Sequence, residues 1–388
     1  MMNYLMKRGF LLLVVFLLAS CNKKIIQVKN EGYVATDSTL LCRQESTIKI
    51  YIGNRLIPNP LSSQIVEVKN DSATTYYVIL DENTLYWFDV TTGNLLKSQM
   101  IKGCGTLNNY SGFLCRNDTT FVYNYKQKVV YMLDSEFDIK KSWKITNSDM
   151  LEGSLDPEAL TDSPILYSHG RIMLSGTKLG QQKDDTVDKH PISCCINISD
   201  DEFVCGGNYP EQYMNGDFGG VYFNTIYHTL GDSDNLLYSF PTDHYVYSYS
   251  LDFSGTQKKY MGSRYTSAIN SSDYNSLELF KDKDLRIKYF VSQHSYSNIL
   301  YDRYRKVYYR IAQHPLVGWE SGSFRKPFSI IVMDVEGNLI SETPIQDDYK
   351  DLNLHNMHVT KEGLLIQKRT LNENIIEFVL YTMVDDEK

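Results

Sequence analysis

Phe328-Ser329-Ile330-Ile331-Val332-Met333-Asp334, then Val335-Glu336-Gly337-Asn338, then Leu339-Ile340-Ser341-Glu342-Thr343-Pro344-Ile345: an apolar run, four turn residues and a second run. A glycine in such a short link supplies the positive φ of a tight hairpin, so the stretch predicts two antiparallel strands. The same unit stands four times upstream. Runs 84–90 and 95–101 flank a turn at 91–94, and runs 129–134 and 139–145 flank one at 135–138. Runs 192–198 and 203–206 flank 199–202, and runs 245–251 and 257–261 flank 252–255. Three of the five turns hold a glycine, at Gly93, Gly255 and Gly337.

Two more strand-like runs precede each unit. They are 64–68 and 75–80, 112–116 and 120–125, 165–167 and 171–176, 225–229 and 235–240, and 298–301 and 306–312. That makes five four-stranded antiparallel modules. Runs 357–359, 364–368 and 375–381 are three strands of a sixth, whose fourth strand falls to the N-terminal region, at 47–52. Repeated four-stranded modules of about 40–50 residues read as propeller blades. The expected fold is therefore all-β: a β-propeller of six four-stranded antiparallel blades in one domain over 33–388, its ring closed by an N-terminal strand. Seven blades is the alternative, since 25–52 and 264–296 are long enough to hide strands; a β-sandwich is the other. One short helix is expected over 273–283, capped by Ser271, Ser272 or Asp273.

The first residues are a different kind of text. Lys7 and Arg8 precede the apolar run 10–18 and then Leu18-Ala19-Ser20-Cys21. A cationic start, a short apolar core and small residues at a cut define a secretory signal over 1–20. The run is shorter than the roughly 20 residues of a membrane span. Its last four residues are similar to the lipobox of bacterial lipoproteins, which makes Cys21 the acylated residue and 21–32 an anchor and linker. Several acyl chains at one end would hold the chain to a membrane. Asn22-Lys23-Lys24 lacks the aspartate of inner-membrane retention signals. That favours the outer membrane, and its periplasmic side over the cell surface. Together with the lipobox, the modules and the run 328–334 with Gly337, the stretches Tyr308-Tyr309-Arg310 and His314-Pro315-Leu316 complete a likeness. The chain resembles the uncharacterised six-bladed propeller lipoproteins of Bacteroides-type bacteria. The resemblance implies fold and location, and carries no activity.

Bulk composition narrows the partners. Hydrophobic residues make up 42%, which is globular, and the formal net charge is −8, which disfavours nucleic acid. Thirty tyrosines fit half-buried sheet faces or, more sharply, a surface for stacking sugars. Behind Cys21 come Cys42, Cys104, Cys115, Cys194, Cys195 and Cys205. Export permits disulfides. Cys104 and Cys115 flank one loop, and Cys194 or Cys195 could meet Cys205 across a hairpin, with sequence unable to choose. No CxxC pair is present, so no zinc site is expected. No cofactor is expected, with calcium as the one candidate.

Strands of a blade alternate direction, so second-to-third and blade-to-blade connections share one face. That face collects the long loops 146–164, 177–191, 207–224, 262–297, 313–327 and 346–356. Long loops in compact domains are commonly functional. Two of them are acidic, with Asp149, Glu152, Asp156, Glu158 and Asp162 in one and Asp347, Asp348 and Asp351 in the other. Loop 313–327 offers His314, Trp319, Glu320, Arg325 and Lys326, a set suited to a sugar or a partner anchor. His355 and His358 open the last blade; residues three apart on a strand face opposite sides. Boxes of the sialidase type, G-x-S-x-G, the P-loop and H-E-x-x-H are all absent. The expected function is a binding or scaffolding propeller that meets an envelope protein or glycan through His314, Trp319, Glu320, Arg325, His355 and His358. A glycan-active hydrolase or lyase working at the channel mouth is the alternative.

Overall fold

The computed structural model describes residues 25–32, 41–68, 74–145, 155–176, 191–220, 222–274, 276–318, 324–345 and 348–383. The signal segment, Cys21, Trp319 and Glu320 lie outside the described residues.

The chain opens with β1 (Gln27–Lys29) and β2 (Leu41–Tyr51). Blade I is β3 (Ser62–Val68), β4 (Thr74–Asp81), β5 (Thr84–Asp89) and β6 (Leu95–Met100). Blade II is β7 (Gly112–Arg116), β8 (Thr119–Asn124), β9 (Val129–Leu133) and β10 (Ile139–Lys144). Blade III has β11 (Pro157–Glu158) and β12 (Leu166–Ser168), then β13 (Arg171–Gly176), β14 (Ser193–Asn197) and β15 (Phe203–Gly206). Helix α1 (Gln212–Asn215) leads to blade IV: β16 (Tyr227–Leu230), β17 (Leu236–Ser239), β18 (Tyr245–Tyr249) and β19 (Thr256–Tyr260). Then come β20 (Ala268–Asn270), α2 (Ser276–Lys281) and α3 (Lys283–Ser292). Blade V is β21 (Ser295–Asp302), β22 (Val307–Gln313), β23 (Phe328–Asp334) and β24 (Leu339–Ile345). Blade VI is β25 (Leu352–Val359), β26 (Leu364–Lys368) and β27 (Ile375–Met383), with β2 as its outer strand.

Six blades form the ring, and the described residues of 25–52 and 264–296 hold no seventh. Residues 41–51 complete blade VI by pairing with β27, as Ile48 with Phe378 and Ile50 with Ile376. Residues 27–29 instead pair with 268–270 as a separate two-stranded ribbon. That ribbon is stitched to the long-loop face. Ile26 N donates to Ser271 Oγ at 2.8 Å, Asn30 Nδ2 to the Ser263 and Thr266 carbonyls at 2.8 Å, and Tyr260 OH to Asn30 Oδ1 at 2.8 Å. The single helix read over 273–283 is two. Asp282 breaks it by capping the second helix, where its carboxylate accepts from Leu285 N at 3.0 Å.

One turn geometry serves most third-to-fourth links. A residue at the strand's end accepts from, and donates to, two successive backbone groups. Gly93 N and Gly337 N donate to the Asp89 and Asp334 carbonyls at 2.8 and 3.2 Å; Asp89 N and Asp334 N donate to Asn94 and Asn338 at 3.0 Å each. Gly93 and Gly337 have φ of 72° and 99°, the left-handed region. In blades II and III the same place is taken by Phe137 and Asp201, both at 64°, which is why those turns carry no glycine.

The core is divided among the gaps between blades. Ile50, Tyr77, Phe88, Leu365 and Phe378 fill the VI–I gap, and Phe121, Trp143, Ile172, Cys194 and Ile196 the II–III gap. Middle strands are covered on both faces, so they read as continuous apolar runs. Tyrosine suits this layering because its ring packs and its hydroxyl finds a partner. Tyr77 OH accepts from Asn356 Nδ2 at 2.8 Å, and Tyr309 OH donates to Asp302 Oδ2 at 2.9 Å.

Candidate functional site

The inner strand of blade III is broken. β11 and β12 both pair with β13, and residues 159–165 leave the sheet between them. Those residues turn tightly, with Ser163 N donating to the Leu160 carbonyl at 3.2 Å, and they touch four other blades in succession. Ala159 N donates to the Tyr110 carbonyl at 3.3 Å beside blade II, and Thr161 N to the Leu61 carbonyl at 2.9 Å beside blade I. Asp162 Oδ2 lies 2.6 Å from His355 Nδ1 of blade VI. Ser163 Oγ donates to the Ile226 carbonyl at 3.2 Å beside blade IV. Blades III and VI are opposite in a ring of six, so only a segment on the axis reaches all of these. The turn is a plug in the long-loop end of the channel. Two glycines seat it: a Cβ on Gly112 would lie 1.8 Å from the Ala159 carbonyl oxygen, and one on Gly176 would lie 2.1 Å from that of Asp156.

Bulged inner strands surround the plug with polar side chains. Register shifts fall between Tyr296 and Ile299 and between Asn353 and Met357, and bulges commonly re-aim side chains at such places. Asn298 Nδ2 ties the two bulges by donating to the Leu354 carbonyl at 2.8 Å. Ser63 Oγ donates to Asn356 Oδ1 at 2.9 Å and lies 3.2 Å from His358 Nε2. His228 Nε2 donates to the Pro164 carbonyl at 2.8 Å.

Charge at the mouth is paired. The His355 side chain is 66% exposed while its partner Asp162 is 5% exposed, so an outward imidazole rests on a sunken carboxylate. Asp162 raises the His355 pKa above its ordinary value. The contact is therefore strongest in acid and weakens as pH rises through that raised value. Burial, helped by Asp162, lifts the Glu158 carboxyl to about 7, and burial lowers the nearby Lys128 to about 8. Asp156 is held by Lys128 and by Tyr125 OH at 2.7 Å. Among the described residues no three His, Cys, Asp or Glu side chains converge as a metal site.

The residues singled out in the sequence separate into two places. His355 and His358 flank the plug with different partners, while Arg325 donates to the Lys350 carbonyl just ahead of blade VI's inner strand. His314 sits farther out in blade V. Its Nε2 lies 3.0 Å from Ser329 Oγ, which donates to Glu342, and its Nδ1 lies 3.5 Å from His294 Nδ1. Lys326, buried, donates to Ser295 Oγ at 2.8 Å and pins that loop's end. Ser63, Thr161, His228 and Asn356 were missed, since isolated polar residues at strand starts carry no local signal.

Burial holds His358 and His294 down at about 3 and His314 at about 4. An unfolded histidine protonates near 6.5. Stability is thus full above about 6.5 and falls as pH drops, because the unfolded chain takes protons that the folded chain refuses. Each group costs about 1.4 kcal/mol per pH unit in that window. Urea midpoints should fall steeply from pH 6.5 to 4, and less steeply in His358→Gln. An unchanged slope in that variant would remove His358 from the account.

The opposite end of the ring carries a cavity of about 560 Å³ between blades II and III. Arg116 lies 4.1 Å over the Tyr167 ring there, and His169 Nε2 lies 3.1 Å from Asp234 Oδ2 at its rim.

These features define a class: a six-bladed β-propeller, closed by its N-terminal strand, with one channel end stoppered by its own chain. The chain belongs to the family described as a domain of unknown function (DUF4221), matched over residues 39–344. Among solved structures it is similar to a member of that family from Bacteroides vulgatus, at 17% identity and a TM-score of 0.71, covering 89% of this chain and 99% of that one. A protein of Bacteroides fragilis gives 14% identity and a TM-score of 0.54 over 89% of this chain and 98% of its own. These likenesses show the fold. Virginiamycin B lyase of Staphylococcus aureus, at 10% identity and a TM-score of 0.43 over 86% and 99% of the two chains, is too distant to carry an argument. No curated protein matches the sequence.

Proposed function

We propose that the chain is an envelope-anchored lipoprotein acting as a binding propeller, which takes a protein or glycan partner on its long-loop face. One observation carries the reading. Among the described residues, every large hydrophobic side chain exposed in a connection between blade strands or between blades lies on that face. Val317 is 94% exposed, Leu371 104% and Phe324 51%, and Ile57, Leu61 and Tyr110 join them. Met214, Tyr265 and Tyr274 lie in blade-to-blade connections of the same face; among the described residues, turns of the opposite face hold none, and the remaining exposed apolar residues lie on outer strands or before β1. Apolar exposure gathered on one face marks an interaction surface. The triple variant Val317→Ser, Phe324→Ser, Leu371→Ser should lose about tenfold or more of its retention by native envelope material, with a thermal midpoint close to the parent's. Equal retention by the two proteins would defeat the proposal.

A hydrolase or lyase at the channel mouth is the second reading, favoured by the Glu158, Asp162 and His355 group. A carboxyl lifted to about 7 by burial, with a second carboxyl group beside it, suits acid–base work on glycans. Turnover in a glycan screen that vanishes in Asp162→Asn would establish it. No turnover across envelope and dietary glycans would retire it.

A further inference from the structure

Blade III is the least continuous of the six. Its inner strand is interrupted by the plug, and its outer strand β15 has only four residues. Two cysteines lie opposite each other at that outer edge. Cys194 of β14 and Cys205 of β15 are direct cross-strand partners, while Cys195 faces Val204. Cys194 and Cys205 pack in the II–III core, whereas Cys195 points into the core shared by blades III, IV and V.

The hairpin's hydrogen bonds fix what kind of pair this is. At its turn Asp201 N donates to the Asn197 carbonyl at 3.0 Å, and Asn197 N to the Glu202 carbonyl at 2.9 Å. Antiparallel pairs alternate between hydrogen-bonded and non-hydrogen-bonded. Counting from Asn197, the pair Ile196–Phe203 is non-bonded, Cys195–Val204 bonded, and Cys194–Cys205 non-bonded. Non-bonded partners have Cα atoms about 4.5 Å apart and the closer side chains. That spacing falls within the roughly 4.4–6.8 Å that a disulfide spans. Cys195 points to the other face and cannot compete. Both thiols are free in the structure.

We propose that Cys194 and Cys205 form a cross-strand disulfide in the exported chain, which staples the short outer strand of blade III. The oxidant is a disulfide-bearing exchange partner. The first cysteine thiolate attacks the donor disulfide, releasing one donor thiol and forming a mixed disulfide. The second thiolate attacks the cysteine sulfur of that mixed disulfide and releases the second donor thiol. Two protons leave the cysteines and end on the two released thiols. Burial raises the Cys194 pKa and lifts that of Cys205 to about 11, so the bond closes before the blade packs.

The test refolds the reduced full chain with glutathione disulfide, quenches it with N-ethylmaleimide, and maps the peptides by mass. Parent and Cys195→Ser should each yield the 194 and 205 peptides joined and lighter by two hydrogens. Cys194→Ser and Cys205→Ser should not. The reductant-sensitive part of the thermal midpoint should vanish with the link. Recovery of both cysteines as maleimide adducts, or a 195–205 link in the parent, would overturn the pairing. Should Cys205→Ser fail to fold, the parent and Cys195→Ser maps decide alone. The oxidising compartment rests on the export reading, which is tested separately by the same map on chain extracted from the envelope. A link formed with glutathione disulfide but absent there would count against export and not against the pairing.

Discussion

Arg310→Met lowers stability by about 3–5 kcal/mol, the summed cost of leaving several buried acceptors without their donor at about 1–3 kcal/mol each. Arg310 is 0% exposed, in the second strand of blade V, yet its hydrogen bonds go to blade IV. Nε donates to Ser239 Oγ at 2.9 Å, Nη1 to the Met261 carbonyl at 2.9 Å, and Nη2 to the Asp243 carbonyl at 2.7 Å and that of Phe240 at 3.3 Å. The guanidinium lies 3.9 Å over the Tyr296 ring. Burial lowers its pKa to about 10, so it stays charged at neutral pH. Methionine keeps the bulk but takes the guanidinium donors away from the Met261 and Asp243 carbonyls and the Ser239 hydroxyl, while the Phe240 carbonyl keeps Asp243 N at 3.2 Å. Urea unfolding should show the full loss, while Arg303→Met on the surface should cost about 0.5 kcal/mol or less. Equal losses would mean that the blade IV–V seam does not depend on this side chain.

A chain beginning at Gly53 is the second large expected effect. It lacks β2, and with it Ile50 and Ile52, 0% and 5% exposed in the VI–I gap. Two such side chains are worth about 1.5–3 kcal/mol each, against a total stability of about 5–15 kcal/mol. Worse, β27 becomes an open edge whose backbone groups invite another chain. Light scattering should find assemblies larger than the parent's species. A peptide of residues 41–52 added in excess should restore the parent's size; assemblies that ignore the peptide would refute closure by β2.

The modules were legible because third-to-fourth hairpins announce themselves twice, by an apolar run ending in Asp and by a left-handed turn residue. Asp89 accepts from Thr92 N at 2.7 Å and Asp334 from Gly337 N at 2.8 Å, with Gly93 and Gly337 as the left-handed residues, and Asp134 accepts from Glu136 N and Asp138 N at 3.0 Å each. Inner strands were less legible. β21 begins at Ser295, not 298, because a bulge resets its alternation, and β25 begins at Leu352, not 357, for the same reason. Blade III's first strand was read as 165–167 alone, since a two-residue piece with an excursion after it leaves no period to detect. The site was visible only in halves. His355 and the acidic loop were both noticed, but 193 residues separate His355 from Asp162, and closing the ring is what joins them.

The stitching of residues 26–30 onto the long-loop face sets the length of a leash. From Ile25 back to Cys21 is four residues, at most about 14 Å of extended chain. An acyl group on Cys21 would hold that face within a gap narrower than most folded domains, tilted from the side of blades IV and V. Anything that reaches the face would have to belong to the same membrane or be slender enough to slide beneath the ring. The free end, with its cavity, would be the end turned toward open solution.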